Sequence, residues 1–144
     1  MNKIKIKNLQ KKVKINRQKL KALALKVLKH RDVDGVEVSI LLVDDVLITQ
    51  LNEKYLRRPY PTDVLAFRMA DGEFSRLHPE LLGDVIISLE TARSRAREMK
   101  RTSIAEAQLY LVHGILHLLG YSDKTQKGFL SMQKIEKEIL GGDA

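Results

Sequence analysis

His113-Gly114-Ile115-Leu116-His117, followed by Gly120 and Asp123, gathers two imidazoles and a carboxylate into eleven residues of largely apolar sequence. Side chains four apart on a helix stack on one face, so both rings can reach a single ion. Gly120 is the residue type that ends a helix in the left-handed conformation, which would turn Asp123 back toward the rings as a third ligand. Three protein ligands leave a position open for water or substrate, the pattern of a catalytic zinc site. Leu109, Leu111, Val112, Ile115, Leu116, Leu118 and Leu119 surround the pair, and imidazoles buried among apolar side chains need partners.

Two neutral imidazoles and one carboxylate suit zinc, with nickel, cobalt or iron acceptable in the same geometry. Such an ion lowers the pKa of a bound water from ~15.7 toward ~7, which favours hydrolysis as the reaction class. The spacing His-x3-His-x2-Gly-x2-Asp overlaps that of metzincin proteases, so a zincin-like metalloprotease is one alternative. Those enzymes carry a glutamate beside the first histidine as general base, and here that position is Gly114. Glycine cannot accept a proton and costs a helix about 1 kcal/mol relative to alanine. Its presence therefore implies a close approach of backbone or substrate.

Arginine supplies the complementary chemistry. Arg57 and Arg58 lie in a proline-bounded loop, where a planar donor fork could hold a phosphate, and Arg93, Arg95, Arg97, Lys100 and Arg101 crowd another segment. Beside a hydrolytic metal, a phosphodiester becomes a natural substrate: arginine binds nonbridging oxygens while metal-bound water or a ribose hydroxyl attacks, and both nucleophiles remain open. His30 and His78 fall in surface segments and are not ligand candidates. Thr62 and Asp63 read as hydrogen-bonding turn residues, and Gly83-Asp84 as the start of a strand.

The elements that must position these groups follow from periodicity. Lys3 to Lys7 alternates lysine and isoleucine, an edge strand with a lysine-protected face. Asn16 caps a helix over about 17 to 29, with Leu20, Leu23, Val27 and Leu28 as its apolar stripe. After a turn at Asp34-Gly35, the β-branched run from Val36 to Val43 reads as a central strand. Asp44 or Asp45 caps the next helix, with Val46, Leu47, Leu51 and Tyr55 on its inner side, and Pro59 and Pro61 end it.

Two more strands, Val64 to Met69 and Asp84 to Ser88, flank a Gly, Pro and polar connection. Ser88 caps a helix reaching about Met99, and Ser103 with Glu106 reads as a capping box for the histidine-bearing helix. A last helix covers roughly 127 to 140. Strands and helices interleave early and helices dominate late, so the expected fold is α+β, a mixed sheet of about four strands packed with helices. No linker divides residues 1 to 144, which read as one domain.

Charge is segregated along this chain. Residues 1 to 31 hold twelve Lys or Arg and no acid, and the remaining 113 carry fourteen bases against eighteen acids, so the whole net charge of +8 originates at the N-terminus. Such a one-signed segment is a footprint for a polyanion, and nucleic acid is the commonest in the cytoplasm. Low aromatic content, with no Trp and three Phe, argues against a mode built mainly on stacked bases. The absence of Cys removes disulfides, thiolate ligands and cysteine nucleophiles. Without an apolar run of about 20 residues or a signal-peptide pattern, a soluble cytoplasmic protein is expected.

His113-Gly114-Ile115-Leu116-His117-Leu118-Leu119-Gly120-Tyr121 resembles the signature of the bacterial YbeY family, metal-dependent endoribonucleases and rRNA maturation factors. Two further stretches support the resemblance in the family's order: Leu51-Asn52-Glu53-Lys54-Tyr55 leading to Pro61-Thr62-Asp63-Val64-Leu65-Ala66-Phe67, and Leu82-Gly83-Asp84-Val85-Ile86-Ile87-Ser88. The resemblance implies a zincin-like metal-site helix, a bound zinc, cleavage of single-stranded RNA, maturation of the 3′ end of 16S rRNA and late ribosome quality control on the small subunit. The rival reading within it is a ribosome-associated RNA-binding assembly factor with a structural metal.

Two departures stand out. Where the family continues Gly-Tyr-Asp-His, with histidine as third ligand, this chain has Ser122 and Asp123, so carboxylate replaces imidazole. Where the family has a functionally important arginine after Tyr55, this chain has Leu56 followed by Arg57. One position along a helix is a turn of about 100°. Arg57 is thus a candidate catalytic or RNA-contacting residue and Arg58 a candidate RNA contact.

Overall fold

A computed structural model describes residues 1–58, 62–69 and 80–141. Four strands and five helices follow the expected order: β1 (Lys3–Asn8), α1 (Arg17–His30), β2 (Glu37–Val43), α2 (Asp45–Leu56), β3 (Val64–Arg68), β4 (Leu81–Ser88), α3 (Leu89–Glu98), α4 (Ser103–Leu118) and α5 (Gln126–Leu140). The sheet order is β1-β2-β4-β3, with β1, β2 and β4 parallel and β3 antiparallel on β4. This is the mixed-sheet α+β architecture expected from the interleaved elements. No helix among the described residues is long and apolar enough to cross a membrane.

Alternation along the strands divides the core in two. Val38, Ile40 and Leu42 of β2, with Val85 and Ile87 of β4, face a large cluster completed by α1, α4 and α5. Val43, Leu65 and Ile86 face the opposite way and meet Ile48 of α2. Leu20, Leu23, Val27 and Leu28 form the buried stripe of α1, joined by Ala24. The edge position of β1 agrees with its exposed lysines.

Local structure settles one reading and corrects two others. Asp44, rather than Asp45, caps α2 by accepting from the Leu47 N–H at 2.9 Å. Ile48 and Asn52 are then the buried residues. Val46 is 62% exposed because it lies two residues, about 200°, from Ile48. Tyr55 is 56% exposed at the last turn, with an edge contact to Phe67, centroids 5.4 Å apart. Before α4 the cap is Thr102, whose hydroxyl accepts from the Ala105 N–H at 3.2 Å. That places Glu106 one position too late for a capping box, and its carboxylate instead accepts from Arg101 at 3.1 Å. Pro59, Pro61 and His78 lie outside the described residues.

Candidate metal centre

Two glycines bring α4 down onto the sheet beside β3. A Cβ on Gly114 would stand 2.7 Å from Val85 Cγ1 and 3.3 Å from Val64 Cγ2. A Cβ on Gly83 would collide with the Phe67 carbonyl and approach Leu118 Cδ2 to 2.7 Å. The close approach at Gly114 is thus to strand side chains, which corrects the expectation of backbone or substrate there. Leu111, Val112, Ile115, Leu116 and Leu118 are buried, while Tyr110, His113, Gly114 and His117 line a cleft on the other side of α4. The imidazoles are not fully buried, since His113 is 28% and His117 30% exposed.

The helix ends as its glycine requires. Gly120 has φ +99°, its N–H donates to the His117 carbonyl at 3.0 Å, and the Tyr121 N–H donates to the Leu116 carbonyl at 3.0 Å. This pair of bonds is the Schellman arrangement, and it reverses the chain toward the rings. Arg31, just past α1, donates to the Tyr121 hydroxyl from Nη2 at 2.5 Å and Nε at 3.1 Å, fixing the turn from outside.

His113 and His117 meet through their Nε2 atoms, 3.0 Å apart. Asp123 Oδ2 lies 3.3 Å from Nε2 of His113 and 3.9 Å from Nε2 of His117. Donor atoms around a tetrahedral ion with bonds of about 2.05 Å stand about 3.3 Å apart, so the three have a suitable spacing. His113, His117 and Asp123 can therefore hold a metal ion.

The opposite ring nitrogens are committed elsewhere. His113 Nδ1 is 2.9 Å from Oε1 of Glu136, and His117 Nδ1 is 3.0 Å from the Tyr121 carbonyl. Each oxygen is an acceptor, so each Nδ1 carries the hydrogen and each neutral ring presents an Nε2 lone pair inward. Carboxylate or carbonyl support of this kind orients metal-binding histidines.

The same contacts separate the two rings electrostatically. The hydrogen bond that His113 donates to Glu136 raises the His113 pKa, assisted by the charges of Glu136 and Asp123 and opposed by burial. Burial lowers that of His117, reinforced by the charge of His113. A first proton goes to His113 and a second is resisted.

Two clefts meet at this centre, sharing Val64, Ala66 and His117. One, of about 740 Å³, runs between α3 and α4, with Arg95 and Arg101 in its wall and Tyr110 beside them. Burial holds the Tyr110 hydroxyl above its ordinary range, so it remains protonated. The other, of about 680 Å³, passes Asp123 and is lined by Arg58, Arg68 and Lys124. Arg57 lines neither. It adopts a left-handed conformation, φ +56°, as the residue that closes α2. Arg58, the next residue, lines the second cleft.

Sequence reasoning passed over Glu136, Arg68 and Lys124. A signal for Glu136 existed: it lies four residues after Met132 and beside Ile135, both buried on the inner face of α5, and is an acid where the helical period calls for an apolar residue. His30 is clear of the centre, 3.4 Å from Glu138.

The Endoribonuclease YbeY family model matches residues 5–142. The Endoribonuclease YbeY of Syntrophus aciditrophicus is 40% identical over 142 residues, covering 95% of this chain and 87% of that protein. That of Syntrophotalea carbinolica is 43% identical over 142 residues, covering 97% and 95%. The solution structure of a Thermotoga maritima protein superposes with a TM-score of 0.64 at 28% identity, over 96% of this chain and 89% of that one. With three metal-competent side chains gathered at the C-terminal end of α4, and with these matches over nearly its whole length, the chain belongs to the Endoribonuclease YbeY family.

Proposed function

We propose that this chain, acting as one domain, is a zinc-dependent endoribonuclease that cuts single-stranded RNA, with His113, His117 and Asp123 as the metal ligands. Its cellular substrate on this reading is the 3′ end of 16S rRNA in the small ribosomal subunit, and its place is the cytoplasm, in late ribosome quality control. The observation that carries the reading is the paired tautomer control: Glu136 and the Tyr121 carbonyl hold both Nδ1 hydrogens, leaving both Nε2 lone pairs facing Asp123. Nitrogen and oxygen donors at this spacing fit zinc. When bound, the ion supplies Lewis acidity and an activated water for phosphodiester hydrolysis.

The remaining work falls to side chains along the two clefts. Arg95 and Arg101 on one side, and Arg58 on the other, bind nonbridging phosphate oxygens and set the strand across the centre. Arg101 is itself held by Glu106, which is 4% exposed, so the guanidinium is aimed before RNA arrives. Gly114 offers no base, and its place against Val85 supports a packing role rather than peptide hydrolysis.

The test is substrate choice by the purified protein. A single-stranded fragment of the 16S rRNA 3′ end, the same fragment in a duplex, and an unfolded protein are each incubated with and without zinc. Zinc-dependent cutting confined to the single strand is expected. Cleavage of the protein instead would overturn the reading.

A further inference from the structure

The positive charge of residues 1 to 31 does not enter either cleft, because none of these residues lines them. Much of it is also unneutralised. Lys3 and Lys5 share Glu37, and Lys12 pairs with Glu90 at 3.1 Å. Lys11, Lys14, Arg17 and Lys21 are exposed, and no ion pair to them occurs among the described residues.

Two of these four stand on a loop with a fixed shape. Gln10, 7% exposed, clamps the segment between β1 and α1: its Nε2 donates to the Val13 carbonyl and its Oε1 accepts from the Val13 N–H, each at 2.9 Å. Val13 itself is buried, so the intervening backbone is pinned and Lys11 and Lys14 project from it. Arg17 and Lys21, four apart on α1, flank a groove of about 300 Å³ floored by Ile4 and Ile6.

The loop is also tied to the wall of the catalytic cleft. Arg93 of α3 donates to the Lys12 carbonyl at 3.1 Å, and Glu90 of α3 receives Lys12 Nζ. The same helix presents Thr91, Ser94 and Arg95 to the cleft. The pinned loop and the cleft therefore share one helix, held from the loop through Glu90 and Arg93 and lining the cleft through Thr91, Ser94 and Arg95.

We propose that Lys11, Lys14, Arg17 and Lys21 form a second RNA-backbone site, an anchor that holds phosphates of the substrate strand beyond those bound in the cleft. The inference rests on the reading that this chain acts on RNA. It adds that recognition extends across α3 through charge and not base identity. A pinned basic loop binds without the cost of ordering it, and backbone contacts displace counterions, so the anchor makes affinity depend on strand length and salt.

The experiment compares wild type with the variant Lys11→Gln, Lys14→Gln, Arg17→Gln, Lys21→Gln on two single-stranded RNAs, one of about five nucleotides and one of about twenty. Binding is read by fluorescence anisotropy across a salt series, and cleavage is read separately. For the long RNA the variant should bind at least about tenfold more weakly, and the slope of log K against log salt should shrink by about 2 to 3. Binding of the short RNA and its cleavage rate should stay within about twofold. Equal binding of the long RNA by both proteins, or an equal loss on both RNAs, overturns the anchor. Because binding is measured without turnover, an uncleaved substrate counts against the proposed reaction and leaves the anchor test intact. Should the fourfold variant fold poorly by thermal melting, Lys11→Gln with Lys14→Gln alone decides the matter, with a slope change of about 1.

Discussion

Glu136 of α5 places its Oε1 2.9 Å from Nδ1 of His113 on α4, joining two helices across 23 residues of sequence at the back of the candidate metal centre. Glu136 is only 13% exposed, so its carboxylate is committed to the ring. The contact fixes which nitrogen of His113 faces Asp123.

Replacing Glu136 by Gln should weaken zinc binding by about 10- to 100-fold, the usual cost of losing such outer support. Competition against a chelator at neutral pH measures it. Zinc affinity equal to wild type would show that His113 is oriented by packing alone.

The same pair gives a pH signature in the metal-free protein. His113 has a raised folded pKa, so its contribution is fully present below the unfolded value of about 6.5 and is lost as pH rises through the folded one. His117 has a lowered folded pKa and acts in the opposite sense, destabilising the fold as pH falls below about 6.5. The two act in opposite directions in wild type. With Glu136→Gln the stabilisation of protonated His113 is lost, so the stability deficit of the variant should be larger at pH 5.5 than at pH 8 in urea unfolding. A deficit independent of pH would contradict the charged pair.

Gly114→Ala should destabilise the protein by about 1–3 kcal/mol although alanine is the better helix former by about 1 kcal/mol. The new methyl would stand 2.7 Å from Val85 Cγ1, on a stiff side chain rooted in the sheet. Denaturant midpoints decide: a stabilised variant would mean that α4 does not lie this close to β4.

Much of this was legible in the sequence because it is local. The His-x3-His spacing, the Gly120 turn and Asp123 lie within one helix end, and a single Schellman reversal joins them. Period-two and helical patterns likewise locate β1, β2 and α1, whose buried faces agree with expectation. What escaped depends on packing between distant segments. The partnership of Glu136 with His113 needs α5 docked on α4, and the place of Arg58 in the cleft wall follows the left-handed close of α2 at Arg57. Thr102 caps α4 in place of Ser103, and two neighbouring hydroxyls satisfy the local rule equally well.

Asp123 turns its Oδ2 toward both Nε2 atoms, 3.3 Å from His113 and 3.9 Å from His117. Asp123→Ala should lower zinc affinity by more than about 100-fold, beyond the range of losses from outer support. Asp123→His should retain zinc, since imidazole is an equally good ligand. Zinc affinity unchanged in the alanine variant would remove Asp123 from the ligand set.

The most direct measurement pairs metal content with RNA cleavage in wild type and in His117→Ala, which deletes one of the two convergent Nε2 donors. Wild type should carry one zinc per chain and cut a single-stranded rRNA fragment, and the variant should lose both the metal and the cutting while keeping its fold by circular dichroism. Undiminished cleavage by a folded, metal-free His117→Ala protein would contradict the account.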